Sequence, residues 1–203
     1  MKKLIIHPAN KLKKTIPQRI NIASWDAYPT KPIVQFSIAY DDHAIHLHYM
    51  VHEPTIRAKA TENNGKVWED SCVEFFVMPE NDGIFYNFEF NCIGTKLLAV
   101  GNSRHNRTFA TAEILDKITV KSSLNNAPFD EIKGGFNWEL IIKIPIDCFF
   151  KHDIKSLKNK TFRANFYKCG DALSTPHFLS WTKIETPEPD FHTPAYFGEI
   201  CFM

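Results

Sequence analysis

The sequence has no motif of the kind that carries enzyme chemistry in a few adjacent residues. It contains no GxSxG elbow, no Walker loop, no HExxH and no GxGxxG, which removes the readily legible hydrolase, nucleotide-binding and zinc-protease readings. Glycine is scarce at 8 residues, and no stretch keeps a long helical period, so a helical bundle is not expected. Charge of either sign is not in excess: the formal net charge is +1 and the pI about 7.7, which gives nucleic acid and anionic membrane no electrostatic hold. No apolar run reaches the roughly 18 residues of a membrane span. Near the N-terminus only Leu4-Ile5-Ile6 precede His7-Pro8, too short for a secretory core of about 7–15 residues. The expected location is cytoplasmic as the chain stands, or secreted if a leader has been removed. Cysteine pairs of the CxxC type are also missing. The five cysteines, Cys72, Cys92, Cys148, Cys169 and Cys201, are odd in number and mostly sit in apolar segments, which favours reduced thiols over a disulfide framework.

Phenylalanine, by contrast, is abundant at 17 residues, and short β-prone runs recur between turns. Expected strands are Ile33–Tyr40, Ala44–His52, Trp68–Met78, Ile84–Asn91, Thr95–Val100, Thr108–Ile114, Ile118–Ser122, Phe136–Ile144, Thr161–Lys168, Phe178–Trp181 and Tyr196–Phe202. Asp41-Asp42-His43 reads as a hairpin turn, Glu53 to Gly65 as a polar loop, and Gly134-Gly135 as a turn before a strand. Pro145 to Phe150 is the one short helical turn. Residues 1–32, broken by Pro8, Pro17, Pro29 and Pro32, read as an irregular lead-in whose Trp25 plugs the end of a core. The fold class is all-β: one antiparallel β-sandwich occupying residues 1–203 as a single domain.

In Lys66-Val67-Trp68-Glu69-Asp70-Ser71-Cys72-Val73-Glu74-Phe75-Phe76-Val77-Met78, Val73, Phe75 and Val77 share one face, and Trp68, Asp70, Cys72 and Glu74 the other. In the next strand Tyr86, Phe88 and Phe90 point inward, and Asn87, Glu89 and Asn91 outward. His46, His48 and His52 line one face of one strand. His-x-His can bind zinc, but His48 and His52 are roughly 13 Å apart along an extended strand, so one ion cannot bridge all three; a polar outward face is the simpler reading. Glu74 and Glu89, on neighbouring strands, are candidates for a glycosidase acid/base pair. Trp68 and Trp181 stand half-exposed beside loops, a setting that suits stacking on a pyranose face and equally suits two buried plugs.

The run Val67-Trp68-Glu69-Asp70-Ser71-Cys72-Val73-Glu74-Phe75-Phe76, with the late Asn165-Phe166-Tyr167-Lys168-Cys169-Gly170-Asp171, Leu179-Ser180-Trp181 and Phe197-Gly198, resembles the family 9 carbohydrate-binding modules (CBM9-like) and their wider DOMON-like group. The likeness extends from about Pro32 to the C-terminus. It implies a jelly-roll or immunoglobulin-like sandwich that binds carbohydrate without converting it. Two Trp rings, Trp68 and Trp181, would clamp a terminal sugar, with Glu74 and Arg104 as acidic and basic hydrogen-bonding partners. Asn87 and Asn165 are further candidates from strand parity. The partner implied is a mono- or oligosaccharide of glucan or xylan type, as in xylanase-associated modules of carbohydrate catabolism. The alternative is a glycoside hydrolase-type or accessory enzyme using Glu74 and Glu89. No cofactor is specified; structural calcium is known in the family, although no Asp-rich loop here calls for it. Haem, bound elsewhere in the DOMON-like group, is disfavoured, since Met50 and His48 lie on one face of one strand.

Overall fold

The computed structural model describes residues 1–9 and 16–203. In chain order its elements begin β1 (Lys3–Pro8), β2 (Gln18–Arg19), β3 (Ile22–Ala23), β4 (Ile33–Tyr40), β5 (Ala44–Ala58), β6 (Cys72–Met78), β7 (Phe85–Asn91) and β8 (Lys96–Gly101). They continue with β9 (Arg107–Phe109), α1 (Ala112–Lys117), β10 (Thr119–Ser122), β11 (Phe129–Pro145), β12 (Thr161–Cys169), β13 (Phe178–Ser180) and β14 (Gly198–Phe202). The chain is mostly β, and the described strands join into one mixed sheet in the order β10-β11-β5-β4-β1-β14-β12-β6-β7-β8-β9.

The expectation of a purely antiparallel sheet is corrected at β1. Lys3–Ile6 runs parallel to β14, and His7–Pro8 runs parallel to β4, so one strand joins the two halves of the sheet. It comes from the segment read as irregular. There, Leu4 and Ile6 are buried while Lys3 and Ile5 are exposed, an alternation hidden by the short run and by Pro8, which sits at the strand's last residue. Part of that lead-in, 10–15, lies outside the described residues.

Other differences have local causes. β5 runs on to Ala58 through the stretch read as a polar loop, because Glu53, Ile56 and Ala58 are buried against β11. Gly134-Gly135 lies inside β11, between the paired residues Lys133 and Phe136, where the register with β5 shifts; glycine suits such a bulge because no side chain needs packing there. Thr108–Ile114 divides into β9 and α1. Thr111 takes the extended N-cap conformation, Glu113 and Lys117 match the helix dipole at its two ends, and Leu115 is buried.

The two halves face one another across an aromatic core. Phe36 of β4 stacks on Phe166 of β12 at 3.9 Å, Phe166 on Phe75 of β6 at 5.0 Å, and Phe75 on Phe88 of β7 at 6.1 Å. Each such ring removes enough apolar surface from water to contribute about 1.5–3 kcal/mol. Trp181 is part of this core: it is fully buried, edge-on to Phe166 at 5.6 Å and to Phe36 at 6.5 Å.

A second apolar layer covers the other face of β6, β7 and β12. Cys72, Phe76, Tyr167 and Cys169 are sealed there by Trp25, Ile184, Phe191 and Phe197, most of them from the loops after β13. Asn87, Glu89 and Asn91, expected to face solvent, are therefore buried, though on the face that parity assigns them.

One end of the inner core holds charge. Lys168 and Glu53 are both fully buried, with Nζ 2.9 Å from Glu53 Oε2, an ion pair by distance that lies outside hydrogen-bond geometry. Nζ also donates to the Cys169 carbonyl and to His177 Nε2, each at 2.8 Å. Trp138 Nε1 donates to Glu53 Oε1 at 2.7 Å. His177 is thus an acceptor and neutral; burial first, and the Lys168 charge second, push its pKa down to about 2 from 6.5. Above pH 6.5 this histidine is neutral whether folded or not and has no pH-dependent effect. As pH falls below 6.5 the unfolded chain takes up a proton that the folded one refuses, so stability is lost towards pH 2. In urea titrations at stepped pH, the parent is expected to lose up to about 1.4 kcal/mol per pH unit more than His177→Gln over the upper part of that range. Parallel profiles would show that the ring is not held neutral.

Candidate functional site

Trp68 sits in a short 3-10 turn, Val67–Glu69, with Val67 as its buried anchor. The next residue locks the turn in place: the buried Asp70 carboxylate accepts from Lys59 N at 3.0 Å, Ala60 N at 2.9 Å and Asn91 Nδ2 at 3.0 Å. From the other side, Asp171 N donates to the Trp68 carbonyl at 3.1 Å and Ala172 N to that of Glu69 at 3.1 Å. The indole is left half-buried on the wall of a cleft. Phe178, Phe191 and Pro189 also line the cleft. Phe191 is held flat on Tyr167 at 4.0 Å and 4°, and Phe178 lies edge-on to Tyr28 at 4.8 Å.

The floor is polar. Glu74 and Glu89 are directly paired across β6 and β7 and are 3% and 2% exposed. Burial, and for Glu74 the neighbouring Glu89 charge, hold both carboxyls above their usual range; burial likewise raises Asp171 to about 6. Asn87 Nδ2 donates to Glu89 Oε1 at 2.7 Å, and Arg107 lies 3.7 Å from the same oxygen. Glu89 Oε2 is buried and has no hydrogen-bond partner among the described residues. Arg107 Nη1 donates to His192 Nε2 at 3.0 Å, which places the ring proton on Nδ1, 3.4 Å from Asp190 Oδ1. Arg104, on the exposed loop after β8, also reaches the cleft.

Of the residues expected from sequence, Trp68, Glu74 and Arg104 meet in this cleft, and Asn87 stands behind it as the donor that fixes Glu89. Two do not belong to it. Trp181 does not face Trp68: the strand places it on the inner face with Leu179, in the core between the sheet halves. Asn165 is fully buried, and its Oδ1 accepts from Phe166 N at 2.9 Å and Thr182 N at 3.0 Å, holding the chain that leaves β13. The histidines of β5 bond side chains beside them: His46 to Asp41 at 2.7 Å, His48 to Glu139 at 2.8 Å and His52 to Asn137 at 3.0 Å. They are a polar outer face.

The model of carbohydrate-binding family 9 matches residues 7–202. The chain belongs to carbohydrate-binding family 9. A candidate carbohydrate-binding protein from Bacteroides uniformis is 42% identical, with a TM-score of 0.95 over 100% of this chain and 99% of that one. A family 9 module from Caldicellulosiruptor kristjanssonii in complex with glucose has a TM-score of 0.68 at 14% identity, over 100% of this chain and 96% of that one. A family 9 module from the same organism in complex with cellotriose gives 0.65 at 15%, over 99% and 93%. At those identities the likeness is one of fold. No curated protein sequence matches the chain.

Structural calcium, which the family resemblance allows, is not supported by the side-chain clusters of this family 9 chain. Among the described residues, the groups with three convergent donors are Cys72, Glu74 and Cys169, and Glu80, Asp82 and His152. Calcium takes six to eight oxygens; the first group offers two sulfurs and the second one nitrogen, so neither fits. The cleft residues not assigned as ligand contacts from sequence are Arg107, Asp171, Phe178, Asp190, Phe191 and His192, although the aromatic-dense late run Pro189-Asp190-Phe191-His192 holds three of them.

Proposed function

We propose that this family 9 protein binds the terminal unit of a mono- or oligosaccharide in the Trp68 cleft and does not convert it. The pyranose face lies on the indole of Trp68, with Phe178 and Phe191 as the opposing apolar wall. Sugar hydroxyls bond Glu74 and Glu89 on the floor and Arg104 and Arg107 at the rim. The observation that carries this reading is Glu89 Oε2, a buried acceptor without a donor beneath a half-exposed tryptophan. A buried acceptor left unpaired costs about 1–3 kcal/mol, and a hydroxyl of the ligand removes that cost. The glucose and cellotriose complexes of the family 9 modules named above support sugar as the ligand class. The stacking of Phe36 on Phe166 supports a jelly-roll sandwich as the scaffold. A hydrolase reading gains little, because Glu74 and Glu89 share one wall on adjacent strands instead of flanking a bond from two sides.

The deciding measurement is titration calorimetry with glucose and cellotriose. Trp68→Ala is expected to weaken binding tenfold or more, about 1.5–3 kcal/mol for the lost stacking surface, and, since the indole also packs on the second apolar layer, to lower stability by about 1 kcal/mol. Unchanged affinity in Trp68→Ala would remove the stacking platform, and no heat with any sugar would remove the function.

A further inference from the structure

The cleft floor contains a donor set of two thiols and one carboxyl, of which sugar binding uses only Glu74. Cys72 on β6 and Cys169 on β12 are directly paired across the two strands, and Glu74, two residues after Cys72, shares their face. One ligand atom from each, Sγ, Sγ and a carboxylate oxygen, lies within 4.8 Å of the other two. All three side chains are buried, at 0%, 1% and 3% exposure for Cys72, Cys169 and Glu74. Cys169 Sγ already points its proton at Glu74 Oε1, 3.1 Å away. Cys169 and Glu74 also line the cleft, so a small ion has a way in from solvent.

We propose that Cys72, Cys169 and Glu74 form a binding site for one soft or borderline divalent cation of the zinc or cadmium class. Tetrahedral zinc takes sulfur at about 2.3 Å and carboxylate oxygen at about 2.0–2.2 Å, so its donors stand roughly 3.3–3.8 Å apart. The Cys169 Sγ–Glu74 Oε1 separation is already 3.1 Å, and all three donor atoms lie within 4.8 Å of one another. Two thiolates select zinc, cadmium or copper(I) over calcium and magnesium, which prefer oxygen. The fourth position opens towards the cleft, where Asp171, two residues after Cys169, and the unpartnered Glu89 Oε2 stand ready as a carboxylate or to hold a bound water. Three carboxyls on this floor, Glu74, Glu89 and Asp171, stand against two guanidiniums, Arg104 and Arg107, with Arg107 3.7 Å from Glu89. Lys168, adjacent in sequence to Cys169, turns to the opposite face to pair with Glu53. On binding, each thiol gives its proton to the buffer and each sulfur lends a lone pair to the metal, with no change of oxidation state. This site goes beyond sugar binding and stands whether or not Trp68 stacks a pyranose.

The test uses the full chain, reduced and freed of metal with a chelator, then titrated with zinc. The expected result is one ion per chain, release of about two protons measured by calorimetry in buffers of different ionisation enthalpy, and two sulfur neighbours at about 2.3 Å by zinc X-ray absorption. Cadmium should give a thiolate charge-transfer band that disappears in Cys72→Ser and in Cys169→Ser. A first shell of nitrogen and oxygen alone would overturn the site, as would a sulfur-ligated ion that survives both serine substitutions. Both cysteines are core residues, so should the variants fail to fold, the sulfur count and proton release of the parent decide alone.

Discussion

Lys168→Met is expected to destabilise the protein by about 3–5 kcal/mol, read as a fall in the urea midpoint with an unchanged slope. The substitution keeps most of the apolar stem, so its cost is electrostatic. Without Nζ, Glu53 is left as a carboxylate at 0% exposure whose remaining protein partner is Trp138 Nε1, and His177 Nε2 and the Cys169 carbonyl both lose their donor. Removing one partner of a buried pair is far more damaging than replacing both, because the survivor keeps its desolvation cost without the compensating charge. The double variant Lys168→Met with Glu53→Gln should therefore recover part of the loss, and the shortfall from additivity measures the coupling. A single-variant cost below about 1 kcal/mol would mean that the buried Lys168–Glu53 pair contributes little to stability. The consequence reaches the cleft, since Lys168 precedes Cys169 on β12 and a shift of one moves the other.

Why strand parity was legible and exposure was not follows from β6 and β7. The alternation of Val73, Phe75 and Val77 against Cys72 and Glu74 is a property of the backbone and needs no tertiary context. Whether the second face meets water depends on loops far along the chain. Here Phe191 and Phe197, more than a hundred residues later in the sequence, cover it. Polar residues on that face, read as a solvated surface, became a buried floor, and this turns Glu74 and Glu89 from ordinary acids into carboxyls held above their usual range. The bridging strand β1 was missed for the opposite reason: its six residues carry too short a pattern to outweigh the prolines around it, and its parallel partners β4 and β14 supply the order. Membership of family 9 was legible because Trp68 and Glu74 stand six residues apart on one rigid turn-and-strand unit. The place of Trp181 was not, because it was assigned by residue type and not by its strand's facing.

Trp181→Ala tests that last point and is expected to cost about 3–5 kcal/mol, as large aromatic deletions in a packed core do. The strand itself assigns the side chain. In β13 Phe178 pairs with Cys169, Leu179 with Lys168 and Ser180 with Tyr167. Phe178 and Ser180 share the cleft face, while Leu179 and the following Trp181 turn inward. The indole then meets Phe166 and Phe36, has Lys2 Nζ 4.6 Å above its ring, and lies so close to β14 that a Cβ on Gly198 would stand 2.6 Å from Cζ3. Its Nε1 has no partner among the described residues, so Trp181→Phe forfeits no hydrogen bond there and should cost less than the alanine change. Sugar affinity of folded Trp181→Phe should match the parent, whereas Phe178→Ala should weaken it. Paired calorimetry and urea curves on these variants separate the two roles: a Trp181→Phe that stays stable but loses sugar would restore Trp181 as the second plate and displace Phe178.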